Sequence, residues 1–282
     1  MYALAQVALG LLVAHAAALL FFVTGTLFDE RPAPGAQTSW RAMLRFVTLT
    51  VCGVAVWGLE GFCLGLAGLF TLAGFAVALT VNGAAFAVIR HENPFSHPFW
   101  SARIALIVGA FRGPAAIIYA VALLLCAPAA LPDYSYDGVH VHLAYAEDWF
   151  RTGRIYAEQS MRFPYYAFNT ELLYTWMMIA RVGRYVPFFS WLTGTLTCLG
   201  AGALLAVIDE RARLTGRRAQ RIAADAVYVI MPLSLMLSAV FLRWWPTAMT
   251  DVTVCAFFLV AVASCALAAL DRSASWLWTA AI

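Results

Sequence analysis

Acid, imidazole and phenol side chains are concentrated at the head of one polar segment, Asp133 to Leu143, which reads DYSYDGVHVHL. Asp137 opens a helical pattern in this stretch, so its carboxylate could cap that helix. The same carboxylate could equally act as a general base. His140 and His142 lie about 200° apart around a helix, so we do not expect them to bind one metal ion.

The helical pattern that begins at Asp137 ends at Gly153, a residue type that commonly stops helices. The spacing predicts an apolar face made of Val139, Leu143, Ala146 and Phe150. The opposite face would be polar, with His140, Glu147, Asp148 and Arg151.

Arginines follow these carboxylates along the polar segment, which continues to about Tyr165. Arg151, Arg154 and Arg162 are candidates for holding a phosphate group, because the planar guanidinium matches two phosphate oxygens. The alternative is contact with lipid headgroups, which need the same chemistry.

A second polar turn, Arg243-Trp-Trp-Pro246, precedes Asp251 at the start of an apolar run. Asp251 could cap the helix that it opens. If the two turns meet, Asp137 and Asp251 could instead act as a pair that shares base and orienting roles or binds a divalent ion.

The rest of the chain is apolar. Hydrophobic residues make up 63% of it, charged residues 12%, and the mean hydropathy is +0.79, which excludes an ordinary soluble domain. The six cysteines all lie in apolar runs, so we expect small buried hydrophobic residues rather than disulfides or a zinc site. All 18 basic residues are arginine and alanine is abundant, which favours a bacterial source. The net charge of +3 gives no reason to expect nucleic-acid binding.

Apolar runs of about 20 residues predict a polytopic α-helical membrane protein. We expect two helices within Ala42–Ile89, joined by a turn at Gly58–Gly61. The span that ends near Leu131 could begin as late as Gly113, where Arg112-Gly113-Pro114 interrupts the run. The other predicted spans are Leu4–Leu27, Trp191–Ile208, Ala223–Leu242 and Thr250–Leu270. This divides the chain into N-terminal helices with about four spans (1–128), a large loop (129–187) and further helices (188–282).

The stretch Tyr166–Tyr185 decides the topology. It contains Glu171 and Arg181, which are costly inside a membrane, and we predict a helix lying at the interface, with Asn169 as its cap and Gly183 as its stop. The Arg-flanked loops 28–41, 90–103 and 209–221 then share the cytoplasmic side. The polar segment and the turn before Asp251 share the outer side.

At these residues the chain resembles membrane glycosyltransferases of the GT-C superfold, a group that includes protein O-mannosyltransferases and the lipid A aminoarabinose transferase. The resemblance covers about Ala129 to Leu270. It rests on an acid followed by four residues and His-Leu, on a helix running into a Gly turn, on an aromatic-Pro segment and on two later acids. Here these are Asp137-x4-His142-Leu143, Asp148 to Ile155, Phe163-Pro164, Glu171-Leu-Leu-Tyr174 and Thr250-Asp251.

The resemblance implies a GT-C-like bundle with juxtamembrane helices in the outer loop. The implied reaction moves a sugar from a polyprenyl-phosphate donor to an acceptor hydroxyl with inversion, at the periplasmic face of a bacterial inner membrane. Asp137 would be the base, Asp251 would orient the acceptor or help to bind a divalent cation such as Mg or Mn, and His142 would position either partner. Substrate-binding residues would be Arg162, Arg243, Tyr136 and Glu171.

Two features depart from that group. About four spans precede the catalytic loop, where one is usual, and the chain ends inside an apolar run, which predicts a fragment or a shortened copy. A transporter is the main alternative function, and it would place ionisable residues deep in the spans, where His15, Asn82 and Arg112 are the few candidates. A non-catalytic membrane scaffold is the third possible function, after the glycosyltransferase and the transporter.

Overall fold

The computed structural model describes residues 2–29, 38–131, 133, 135–156, 169–214, 224–248 and 251–271. It is 84% helical, and it has no strand in those ranges. Several helices are long and apolar enough to cross a membrane. The predicted class, an all-α membrane protein, fits this structure.

The N-terminal half begins with three long helices, α1 (Tyr2–Gly25), α2 (Ser39–Leu66) and α3 (Leu72–Ile89). The predicted turn at Gly58–Gly61 is wrong, because α2 runs through these residues without interruption. A helix in an apolar environment keeps its own backbone hydrogen bonds, since nothing there competes for them. The chain turns instead at 67–71, where Gly68 has a φ of +74° and Thr71 caps α3.

Helices α1 and α2 pack with their backbones in contact. A Cβ on Gly25 would lie 1.7 Å from the carbonyl oxygen of Leu49, and one on Gly53 would lie 1.8 Å from that of Phe21. Only glycine permits so close an approach, which is common where helices pack within a membrane. Helices α7 and α8 pack on this pair.

The predicted interruption at Arg112-Gly113-Pro114 is confirmed: α4 (His97–Ala110) and α5 (Ala115–Leu124) meet there at 86°. Helix α4 stays near the N-terminal end of α2. A Cβ on Gly109 would lie 3.8 Å from Ala42 Cβ, and one on Gly113 would lie 3.4 Å from Ser39 Oγ. The chain therefore runs from there toward the opposite end of the bundle through α5 and the 3-10 turn Ala127–Ala130.

The described part of the C-terminal half contains six further helices: α6 Leu143–Thr152, α7 Asn169–Ile179, α8 Val186–Leu214, α9 Ala224–Met236, α10 Ala239–Trp244 and α11 Asp251–Asp271. Four stretches of the described chain have the length and hydropathy of membrane spans, Ala3–Phe28, Ser39–Leu66, Leu72–Ile89 and Gly183–Glu210. The bent pair α4–α5 could count as a fifth, and α9 and α11 contribute shorter apolar helices.

The two ends of the bundle differ in chemistry. One end is called the arginine end below, and its described residues include three ion pairs: Arg41 with Glu210 (3.1 Å), Arg45 with Asp29 (2.6 Å) and Arg103 with Glu92 (2.7 Å). The opposite end of α2, called the polar end, contacts the polar segment, since Ile155 N donates to the Gly65 carbonyl (3.1 Å). This is the grouping of loops that the sequence predicts.

Candidate functional site

The polar segment enters α6 through a π-helical turn, Gly138–His142. Asp137 has helical angles there, and its side chain makes no capping hydrogen bond, so the interpretation of Asp137 as an N-cap is wrong. Gly153 ends α6 with a left-handed φ of 67°, as predicted.

The π turn also changes which side chains face the protein. A π turn holds one residue more than an α turn, so it rotates the residues on either side relative to each other. Val139 is 40% exposed instead of belonging to the inner face. The buried residues are Val141, Tyr145, Ala146 and Trp149, a shift from the predicted apolar face.

His142 is paired with Glu171 of α7. The His142 Nδ1–H donates to Glu171 Oε1. Glu171 is 1% exposed, and its other oxygen, Oε2, is buried without a hydrogen-bond partner in the described part of the chain. Because the carboxylate occupies Nδ1, Nε2 is the ring nitrogen that remains for other chemistry.

Helix α7 is held inside the protein by contacts on several sides. Thr175 Oγ1 donates to the Ala146 carbonyl of α6 (3.3 Å), and Trp176 Nε1 donates to the Trp57 carbonyl of α2 (3.0 Å). Residues 170–177 are all buried. With 11 residues, α7 is about 16 Å long and too short to span a membrane, as predicted. It is not, however, a surface helix with one exposed face, and this part of the prediction is wrong.

The end of α7 also differs from the prediction. The helix stops at Ile179, and Arg181, with a φ of 62°, takes the left-handed position that we assigned to Gly183. The side chain of the predicted cap, Asn169, lies outside the described residues.

Asp133 connects the polar segment to the second polar turn. Its Oδ1 accepts hydrogen bonds from Ser135 N (2.8 Å) and Ser135 Oγ (2.7 Å), which is the turn chemistry expected of an aspartate. Its Oδ2 accepts one from Ala248 N (2.5 Å), three residues before Asp251. The predicted meeting of the two polar turns at one end of the bundle is thus confirmed.

The remaining predicted site residues are more open. Asp137 is half-buried, Asp251 is exposed at the first position of α11, and Arg243 is exposed on α10. Tyr136 is 62% exposed, and its ring centroid lies 4.6 Å from that of His140. Arg162 lies outside the described residues. Arg151 pairs with Glu147 on the surface of α6 (2.5 Å).

Tyr174 lies beside the His142–Glu171 pair and is fully buried. Burial raises the pKa of its hydroxyl, and the negative charges of Glu171 and Asp133 add to this effect, while a hydrogen bond with Ser190 Oγ (3.2 Å) opposes it. The phenol therefore stays protonated and serves as a hydrogen-bonding group rather than a base.

No three side chains of His, Cys, Asp or Glu come together as a metal site within the ranges that the structure describes. Mg²⁺ is commonly held by one or two carboxylates together with substrate phosphates. A divalent ion at Asp137 or Asp251 would therefore take part of its ligands from a bound phosphate.

Comparisons with protein-family models, with curated proteins and with solved structures found no match for this chain. The sequence identified His142 and Glu171 separately, but nothing in it indicated that these two residues, 29 positions apart, form a pair.

Proposed function

We propose that this chain is a membrane glycosyltransferase of the GT-C kind, moving a sugar from a polyprenyl-phosphate donor to an acceptor hydroxyl. The observation that carries the proposal is the hydrogen bond between Asp133 and Ala248. It holds the turn with Asp137 and His142 against the segment that opens with Asp251. Two carboxylates and a positioned imidazole on adjoining turns suit a reaction that needs a base and an oriented acceptor.

In this mechanism Asp137 accepts the proton of the acceptor hydroxyl as its oxygen attacks the anomeric carbon. The new carbon–oxygen bond forms on the face opposite the leaving group, so the configuration inverts. The bond from the anomeric carbon to the phosphate oxygen breaks, and polyprenyl phosphate leaves with the electron pair. Positive charge near the departing phosphate stabilises this step, and Arg243 is the described candidate, with Arg162 as a sequence candidate.

The proposed role of Glu171 differs from the expected one, which was to bind substrate. Because it is buried and bonded to His142, it is suited to fixing the imidazole ring rather than to touching substrate. His142 would present Nε2 to the donor or the acceptor. Asp251, exposed at the start of α11, would orient the acceptor or share a divalent ion with the donor phosphate.

Transfer can be measured with membranes that contain the full chain and radiolabelled polyprenyl-phosphate sugars. Asp137→Asn should lower transfer about 100-fold or more, because it removes the base and keeps the shape. Glu147→Gln is the matched control, since Glu147 is an exposed carboxylate on the neighbouring helix. Equal transfer by wild type and Asp137→Asn would refute the assigned base.

The proposal places the polar end at the periplasmic face of a bacterial inner membrane, because arginines favour the cytoplasmic side. His140 at the polar end and Arg112 near the arginine end are both exposed, so each can be replaced by cysteine. A maleimide that cannot cross membranes should label His140→Cys in intact cells and Arg112→Cys only after lysis. The reverse pattern would invert the orientation.

One observation favours the transporter alternative. Glu60 of α2 accepts a hydrogen bond from Asn82 of α3 (3.1 Å), between two helices of membrane-spanning length. Ionisable residues in such positions commonly mark transport pathways. Glu60→Gln should leave sugar transfer unchanged if the chain is the proposed enzyme, whereas a transporter would lose substrate uptake into vesicles.

A further inference from the structure

Threonine hydroxyls inside the described helices commonly bond to their own backbone. Thr50, Thr80 and Thr197 each donate to the carbonyl four residues earlier, at 2.7, 2.8 and 2.9 Å. This arrangement satisfies a hydroxyl without help from another helix. Thr253 of α11 differs, because its Oγ1 lies 3.2 Å from Oγ1 of Thr193 on α8. The contact is therefore a hydrogen bond between two helices.

The direction of this hydrogen bond follows from the number of hydrogens. A hydroxyl has one hydrogen to donate, and Thr193 Oγ1 donates to the Ser190 carbonyl of its own helix (3.0 Å). Thr253 is therefore the donor to Thr193. Thr193 is 2% exposed and Thr253 is 1% exposed, so water does not compete for this bond. It holds the first turn of α11 against α8.

Asp251 lies between two held positions of the chain. Before it, Ala248 N donates to Asp133 (2.5 Å), and after it, Thr253 donates to Thr193. Residues two apart on a helix point about 200° apart around its axis. Asp251 is exposed and Thr253 is buried, as this geometry requires. Turning Thr253 toward α8 thus sets the direction in which the Asp251 carboxylate leaves the helix.

Helix α8 also supports α7, the helix that carries Glu171. Tyr174, one turn after Glu171, has its hydroxyl oxygen 3.2 Å from Ser190 Oγ. Ser190 is fully buried, and its carbonyl is the one that accepts from Thr193. The same turn of α8 therefore contacts the helix with Glu171 and, through Thr193, the helix with Asp251.

We propose that Thr253 and Thr193 are positioning residues for Asp251 and act by fixing the rotation of α11 about its own axis. The inference rests on the proposed glycosyl transfer, because Asp251 takes part in that reaction. Without the Thr253 hydroxyl, Asp251 keeps its place in the chain, but the direction of its carboxylate is no longer fixed. A smaller share of the molecules then holds the carboxylate where the reaction needs it, and transfer slows.

Removing the Thr253 hydroxyl tests the proposal in the membrane transfer assay. Thr253→Val keeps the shape of the side chain and should lower transfer about fivefold, as expected for one hydrogen bond between membrane helices. Thr253→Ser keeps the hydroxyl and should restore most of the rate. Thr50→Val is the matched control, since Thr50 is 0% exposed and its hydroxyl bonds to the Phe46 carbonyl of its own helix. It should leave transfer unchanged.

A role that acts through Asp251 also predicts that the two changes are not additive. In the Asp251→Asn background, Thr253→Val should lower the residual transfer no further. General loosening of the bundle would instead lower transfer by the same factor in both backgrounds. That additive result would overturn the inference, as would full transfer by Thr253→Val when Asp251→Asn is impaired.

Hydrogen exchange separates this inference from the proposed function. Thr253→Val and Thr193→Val remove the same bond, so each should accelerate exchange about fivefold at the amides of residues 255–257, which close the first turn of α11. Thr50→Val should leave these amides unchanged. Faster exchange together with full transfer by Asp251→Asn would support the fixing of α11 and refute the proposed role of Asp251. Unchanged exchange in both variants, Thr253→Val and Thr193→Val, would overturn the inference.

Discussion

The Nδ1 of His142 and the Oε1 of Glu171 share a hydrogen bond, although the two residues are 29 positions apart in the chain. His142 belongs to the π turn before α6, and Glu171 lies in the first turn of α7. The pair exists because α7 packs against α6 and α2 at the polar end. A buried carboxylate that fixes an imidazole ring is a common way to orient a reactive histidine.

Replacing Glu171 tests whether the pair matters for more than packing. Glu171→Gln keeps the size and an oxygen that can accept from Nδ1–H, and we expect transfer to fall about tenfold. Glu171→Leu leaves the Nδ1–H without an acceptor and should lower transfer further than Glu171→Gln does. Nitrogen chemical shifts of labelled histidine should show Nδ1 protonated in the wild type. Full activity in the leucine variant, with an unchanged tautomer, would contradict a positioning role.

Asp133 is expected to hold the two polar turns together. Asp133→Asn keeps an acceptor for Ser135 but turns an NH₂ group toward the Ala248 amide, so the connection breaks while the local turn survives. Asp133→Ala removes both the hydrogen bonds with Ser135 and the one with Ala248, and it should lower the free energy of unfolding by about 2–3 kcal/mol. Hydrogen exchange at the Ala248 amide should accelerate in both variants. Asp251→Asn, a change at an exposed aspartate close by, should leave that amide protected.

Two glycines of α2 should respond in opposite ways to alanine. A Cβ at Gly53 would lie 1.8 Å from the Phe21 carbonyl oxygen, so Gly53→Ala must push α1 and α2 apart. At Gly58 nothing lies within 4 Å, and Gly58→Ala should stabilise the helix by up to roughly 1 kcal/mol. Thermal unfolding in detergent should show a large drop in Tm for the first and no drop for the second. A similar Tm for both would contradict the described contact of α1 and α2.

Tyr174 should make the protein sensitive to alkali. Burial raises its pKa in the folded state above the ordinary value of about 10. The folded protein therefore binds this proton more tightly than the unfolded chain, so the contribution to stability is complete below pH 10 and is lost as the pH rises toward the folded pKa. Tyr174→Phe should show a smaller decline in Tm between pH 9 and 11.

Tyr136→Phe provides the comparison, because Tyr136 is exposed. Its decline in Tm with rising pH should match that of the wild type. If the two phenylalanine variants decline equally, Tyr174 is not the group responsible.

The class of the protein and much of its local structure follow from the amino-acid sequence. Apolar length predicts membrane helices, because a helix in lipid must satisfy its own backbone. Local chemistry also predicted the break at Arg112-Gly113-Pro114 and the stop at Gly153, since glycine and proline restrict or permit particular backbone angles. The grouping of charged loops followed from the distribution of arginine along the chain.

The assembly of the polar end, by contrast, follows from tertiary packing. Helix α2 continues through Gly58–Gly61, because a helix in apolar surroundings keeps its own backbone hydrogen bonds and a glycine there does not need to end it. The π turn moved the buried face of α6 away from the expected 3.6-residue pattern. Burial of α7 placed Glu171 beside His142, and no local spacing encodes that contact, since it arises where helices distant in sequence pack together.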